Sequence, residues 1–164
     1  MSDGAIRGRV WKFGHDVSTD LLSPGQYALD PVEVRMLHVL ESVDPRFASE
    51  VAAGDVVVAG HNFGCGSSRE TAAENLKVLG VACVAAESLS RLFMRNAIAV
   101  GLPVLIAGGI HQAFSAGDEI EIDLAAGTAR NPATGAYCRG EPLPEEMRRI
   151  LNAGGILEVL RHGG

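Results

Sequence analysis

The stretch Asp55-Val56-Val57-Val58-Ala59, then Gly60-His61-Asn62-Phe63-Gly64-Cys65-Gly66, then Ser67-Ser68-Arg69-Glu70 changes character twice. A β-branched run between Gly54 and Gly60 predicts a short buried strand. The glycine-rich segment after it predicts a loop. Beyond it Ala72, Leu76 and Leu79 fall on one face of a helix, with Ser67 and Ser68 as candidate N-caps and Gly80 where a C-terminal cap belongs. Strand, glycine loop and helix is the unit from which α/β folds are built, and the pattern continues. Residues 81–86 read as a second buried strand, 88–99 as a second helix and 103–106 as a third strand, which implies a parallel or mixed central sheet flanked by helices.

Upstream, residues 6–13 are strand-forming and lead into the polar run His15-Asp16-Val17-Ser18-Thr19-Asp20, a loop ended by Ser23-Pro24-Gly25. Asp30, Pro31 and Glu33 carry the signature of a helix start, with Asp30 as N-cap and Val34, Leu37 and Leu40 on one face. Downstream, residues 118–124 alternate polar and apolar, and turn residues at Asn131-Pro132 and Thr134-Gly135 predict an antiparallel hairpin. Residues 144–152 predict a last amphipathic helix, ended by Gly154-Gly155 before a short tail.

The chain has 164 residues, of which 47% are apolar and 21% charged, enough to bury a core as one domain, 1–164, without disulfide or metal staples. Its net charge is −6 and its 14 Lys and Arg are scattered, with Arg148-Arg149 the only adjacent pair. That argues against nucleic acid as a partner, while a local site can still attract a small anion. The longest apolar runs are too short to cross a bilayer and the polar N-terminus lacks a signal-peptide core, so no membrane association and a cytoplasmic location are expected. Cys65, Cys83 and Cys138 are too widely spaced for a disulfide framework or a Cys-x-x-Cys metal site. This chain is therefore expected to hold no metal and no cofactor of its own.

The segment from Gly64 to Glu70 carries the chemistry. Its two glycines let the backbone approach a ligand, its two hydroxyls donate hydrogen bonds, and Arg69 can grip a carboxylate with two parallel bonds at a helix N-terminus whose dipole favours negative charge. The lysine of a phosphate-binding P-loop is missing, so a carboxylate ligand fits better than a nucleotide. The competing reading is that Ser67 only caps the helix and the glycines only permit a tight turn; local physics leaves both open.

The string Asn62-Phe63-Gly64-Cys65-Gly66-Ser67-Ser68-Arg69-Glu70 resembles the signature of the aconitase superfamily swivelling domain. It is most similar to the small subunits of isopropylmalate isomerase and homoaconitase. Asp16-Val17-Ser18-Thr19-Asp20 with Pro24, Ala86-Glu87-Ser88, Arg95-Asn96-Ala97, Gly101-Leu102-Pro103 and the C-terminal Leu143-Pro144 through Gly155 extend the resemblance over nearly the whole chain. It implies a swivelling β/β/α fold and a heteromeric hydro-lyase that isomerises a 2-hydroxy dicarboxylic acid by dehydration and rehydration. It also implies a large-subunit partner that carries a 4Fe-4S cluster.

By the same resemblance Ser67 is the general base, Ser68 and Arg69 bind substrate carboxylate, and Asp20 and Ser23 are further polar substrate-binding positions. The backbone of Gly64, Cys65 and Gly66 forms the anion loop. Tyr27, Ala28 and Leu29 occupy the loop that sets substrate choice, where homoaconitase-like members place an arginine at the position of Leu29. An apolar side chain there suits an alkyl substituent, which favours isopropylmalate and leaves a methylated malate, citramalate or homocitrate-type acid as alternatives. Three features depart from the commonest small-subunit pattern: Thr71 stands in place of a histidine, Glu74-Asn75 differ, and Ser23 is usually apolar.

Two readings from other classes compete. One is a stand-alone, non-catalytic carboxylate-binding module. The other is a hydrolase using Cys65, near a helix N-terminus and four residues from His61; a structural thiol explains that cysteine equally well. His15, His38, His111 and His162 show no metal-ligand spacing.

Overall fold

The structure, a computed structural model, describes residues 5–162; the first four residues and the last two of the expected domain 1–164 lie outside it. Seven strands form one mixed sheet in the order β4-β3-β2-β1-β5-β6-β7. Strands β1 (Ile6–Lys12), β2 (Val56–Ala59), β3 (Cys83–Ala86) and β4 (Val104–Ile106) run parallel. Strands β5 (Glu119–Asp123), β6 (Thr128–Arg130) and β7 (Tyr137–Arg139) continue antiparallel from the other edge of β1. Register pairs Trp11 with Val57 and Val57 with Val84, so alternate side chains of the parallel half point to opposite faces.

Both faces are buried, which explains why Val56–Ala59 and Cys83–Ala86 lack any polar alternation. One face carries Val57, Ala59, Val84 and Ala86 into a core with Phe47, Phe63, Leu76 and Phe93. The other carries Val56, Val58, Cys83 and Ala85 into a core with Ile120, Ile122 and Ala129 of the antiparallel half. The sheet thus curls over itself until the segment after β7 reaches β4, where the Glu141 N–H donates to the Ile106 carbonyl at 3.1 Å. Helices α4 (Glu70–Val78), α5 (Arg91–Val100) and α7 (Glu145–Ala153) supply the third layer. The expected β/β/α arrangement with a mixed sheet is what the chain forms.

Short helices α1 (Thr19–Leu22), α2 (Val32–Arg35), α3 (Phe47–Glu50) and α6 (Ile110–Ala113) decorate the loops. The amphipathic helix expected from Asp30 onward does not form. Pro31, not Asp30, is the N-cap of α2, which gives way after one turn to a 3-10 turn at Met36–His38. Leu37 is 59% exposed, whereas Leu40 is buried with φ 58° and its N–H bonded to the Leu21 carbonyl. Tertiary anchoring overrides the helical period there. The tail expected after Gly154-Gly155 instead forms α8 (Ile156–Arg161), because Gly155 at φ 124° brings the backbone against Ala99 and Val100 at the end of α5. Among the described residues no helix is long and apolar enough to cross a membrane.

Candidate active-site loop

The loop between β2 and α4 leaves the carboxyl end of the sheet and is held from both sides. On one side the Gly64 N–H donates to the Val17 carbonyl at 2.7 Å and the Thr19 N–H to the Cys65 carbonyl at 2.8 Å. On the other, Phe63 N–H donates to the Ser88 carbonyl and Ser90 Oγ to the Gly64 carbonyl at 2.8 Å. Ser90 also caps α5, so one hydroxyl ties the loop to a helix start. Gly64 at φ 83° and Gly66 at φ 96° make two left-handed bends that a side chain would resist.

Ser67 and Ser68 emerge from this brace as exposed residues. They are not the caps of α4. Arg69 occupies the N-cap position with extended φ and ψ, and no side chain caps the helix, so the hydroxyls are left for other use and first-turn N–H groups face the loop. The Ser67 backbone is fixed by the buried Thr19, whose Oγ1 donates to the Ser67 carbonyl at 2.6 Å. Thr19 lies in the polar loop singled out from the sequence, yet its role in orienting Ser67 depends on a contact spanning 48 positions and has no local signal.

Arg69 reaches back across the site, donating through Nη1 to the Ser23 carbonyl at 2.6 Å and to Asp20 Oδ1 at 3.0 Å. Asp20 is mostly exposed, so this ion pair is screened. Both contacts use Nη1, which leaves Nη2 and Nε to meet a carboxylate. Asp20 therefore stands beside Arg69 and partly offsets its charge.

Ser23 requires a correction. Its side chain is not on the open face: the residue is 1% exposed and its hydroxyl is bonded to Thr71 Oγ1 at 2.6 Å. Burial leaves it a structural partner of α4 and of Arg69, with no route to a docked ligand in this conformation. The departures noted in the sequence thus meet: Ser23 pairs with Thr71, while Glu74 and Asn75 both accept from Arg35.

Tyr27, Ala28 and Leu29 form a protruding turn. Tyr27 stacks on His38 with ring centroids 3.6 Å apart, and the Leu29 side chain is wholly exposed. Cys65 is partly exposed; Cys83 is fully buried, which pushes its thiol far above the usual range, and Cys138 is raised by burial and then by Glu87. The cysteines are scattered, and among the described residues no three His, Cys, Asp or Glu side chains are grouped to hold a metal ion. Among the described residues the donor set does not fit an iron–sulfur cluster.

The aconitase C-terminal domain profile matches residues 31–107. The 3-isopropylmalate dehydratase small subunit 1 of Methanopyrus kandleri is 49% identical over 161 residues, covering 97% of this chain and 94% of that one. The chain belongs to the aconitase C-terminal domain family, among the dehydratase small subunits. A second small subunit, the isopropylmalate/citramalate isomerase of Methanocaldococcus jannaschii, is 47% identical over 95% of this chain and 94% of its own. The solved structure of 3-isopropylmalate dehydratase from the same organism superposes with a TM-score of 0.89 at 39% identity, covering 97% and 95% of the two chains. In this fold the hydroxyls of Ser67 and Ser68 lie on the surface.

Proposed function

We propose that this chain is the small subunit of a two-chain hydro-lyase that converts 2-isopropylmalate to 3-isopropylmalate by dehydration and rehydration, a step of leucine biosynthesis in the cytoplasm. The observation that carries the reading is the placement of Ser67, Ser68 and Arg69 on an exposed loop whose backbone is fixed on both sides.

In this mechanism Ser67 Oγ, as the alkoxide, removes the proton from the carbon next to a substrate carboxylate and returns it to the neighbouring carbon on rehydration. A serine hydroxyl is far too weak a base in water. Its alkoxide needs donors already aimed at it, and the uncapped first turn of α4 and the Arg69 guanidinium are the groups of this chain that supply them. Ser68 and the remaining N–H groups of Arg69 hold carboxylate oxygens, with Asp20 orienting the guanidinium. A 4Fe-4S cluster on the large subunit would supply the Lewis acid that draws off the substrate hydroxyl. The exposure of Leu29 supports an alkyl-bearing substrate, because an apolar side chain at the rim of a docked site favours an isopropyl or methyl group over a second carboxylate.

The test is Ser67→Ala in the complex with the large subunit. Assembly should persist while turnover of isopropylmalate falls by roughly 10⁴-fold or more, the scale of losing a key catalytic group. Retained turnover would refute the assignment of the base.

A further inference from the structure

The segment between α1 and α2 has two fixed feet. At the first, the Asn75 Nδ2 donates to the Leu22 carbonyl at 3.2 Å, Thr71 bonds the Ser23 hydroxyl, and Arg69 bonds the Ser23 carbonyl. At the second, Arg35 donates through Nε to the Asp30 carbonyl at 3.0 Å, through Nη1 to Asn75 Oδ1 at 2.8 Å and through Nη2 to Glu74 Oε1 at 2.6 Å. Between the feet the chain bows outward and carries Leu29 fully into solvent.

All of these anchors spring from α4, the helix that begins directly behind the Ser67 loop, or are tied to it. Arg35 is 8% exposed and Asn75 wholly buried, while Glu74 is partly exposed, so the second foot is a charge-assisted network whose Arg35–Asn75 half is buried. Arg35 is the only donor in it that touches the loop side, α4 residue Glu74 and α4 residue Asn75 at once.

We infer that Arg35 is a positioning residue for substrate choice: it registers the Tyr27–Leu29 turn against α4, and so sets the distance between Leu29 and the Ser67 loop. The inference rests on the proposed isomerase reading. Arg35 touches no substrate; it acts through the Asp30 backbone. Withdrawing its three bonds frees one foot of the bow, so the space Leu29 leaves for an alkyl substituent becomes variable. Discrimination between a larger and a smaller substituent then weakens, while Ser67, whose carbonyl is held by Thr19 in a loop that Ser90 ties at Gly64, keeps its place.

The experiment uses the complex with the large subunit and two 2-hydroxy diacids that differ only in an isopropyl or a methyl substituent. Arg35→Met, which keeps the aliphatic stem but no donors, should change the ratio of their kcat/KM values by about fivefold, mainly through KM, well below the roughly hundredfold that a 1 Å displacement can cost at the chemistry itself. Hydrogen exchange at residues 27–30 should accelerate with it. Glu74→Ala, at a partly exposed position that tolerates truncation, should shift the ratio in the same direction by a smaller factor. A purely structural role lowers both activities in parallel, so a ratio within about twofold of the parent for both variants overturns the inference. A parent complex that turns over neither acid overturns the proposed function and this inference with it.

Discussion

Replacing Gly64 by alanine should destabilise the fold far more than the same change at Gly66, two residues along the same loop. Both glycines have left-handed φ values, 83° and 96°, so both variants incur the ~1–2 kcal/mol cost of an L-residue there, partly offset by a less flexible unfolded chain. The surroundings differ. A Cβ on Gly64 would overlap Cβ and Cγ of Phe93 and lie 2.9 Å from its Cδ1, and Phe93 is 2% exposed on α5, packed edge-on against Phe63. No flexible side-chain end can yield, so an overpacking cost of ~1–3 kcal/mol is added. A Cβ on Gly66 would meet only Thr19 Oγ1 at 3.5 Å and Ser18 Cβ at 3.9 Å, which is ordinary contact. The expected totals are about 2–4 kcal/mol for Gly64→Ala and about 1 kcal/mol for Gly66→Ala. For a chain of this size they correspond to Tm losses of about 5–15 °C and about 2–4 °C. Scanning calorimetry of the isolated chain, with Gly14→Ala as an open-space control, reads both. Equal losses for the two variants would refute the claim that the Ser67 loop is rigid because it is wedged against α5.

Leu29→Arg in the complex should raise the kcat/KM for homocitrate relative to isopropylmalate by ~10–100-fold, the value of one charge-assisted hydrogen bond to a second carboxylate; an unchanged ratio would remove this turn from substrate selection. Asp55→Ala should cost about 1–3 kcal/mol, since the buried Asp55 accepts from Trp11 Nε1 at 2.8 Å and from the Ala52 N–H at 2.9 Å and both bonds would be lost. A denaturant-unfolding loss below about 0.5 kcal/mol would contradict it. Acid should destabilise the carboxyl edge of the sheet in two steps. Burial lowers the pKa of His111, assisted by Lys12 and His15, and Glu87 is also lowered: burial alone would raise it, but the N–H donors of His111 and Gly109 and the nearby His61 and His111 outweigh that. With both values depressed, the unfolded chain binds the proton first. Stability is then full at higher pH and is lost as the pH falls below about 6.5 for His111 and below about 4.3 for Glu87. Glu87→Gln should flatten the lower step in urea midpoints measured against pH and, because the Glu87 carboxylate raises the His111 pKa, deepen the upper one; midpoints that rise on acidification would contradict the signs.

The strands and long helices were legible from residue order because each one's signal is local. An unbroken β-branched run such as Val56–Ala59 is buried on both faces wherever it lies, and a period of 3.6 through Ala72 and Leu76 marks the inner side of a helix before any partner is known. Gly64-Cys65-Gly66-Ser67-Ser68-Arg69 was legible as a tight, exposed loop for the same reason: the left-handed turns that Gly64 and Gly66 permit act within one turn of chain. Residues 30–40 misled, since the apolar spacing was helical but the hydrogen bonds that decided the conformation, Arg35 to Asn75 and Leu40 to Leu21, come from distant chain.

Sequence by itself determined the strands and the long helices, the α/β class, and the family to which the chain belongs. Tertiary structure alone decided that the antiparallel half folds back over the parallel half, that Ser23 turns inward to Thr71, that Thr19 orients Ser67, and that Arg69 is shared with Asp20. The physical reason is range. Propensity and periodicity act over a few residues, whereas these contacts join groups more than forty positions apart, whose meeting depends on how every intervening element packs.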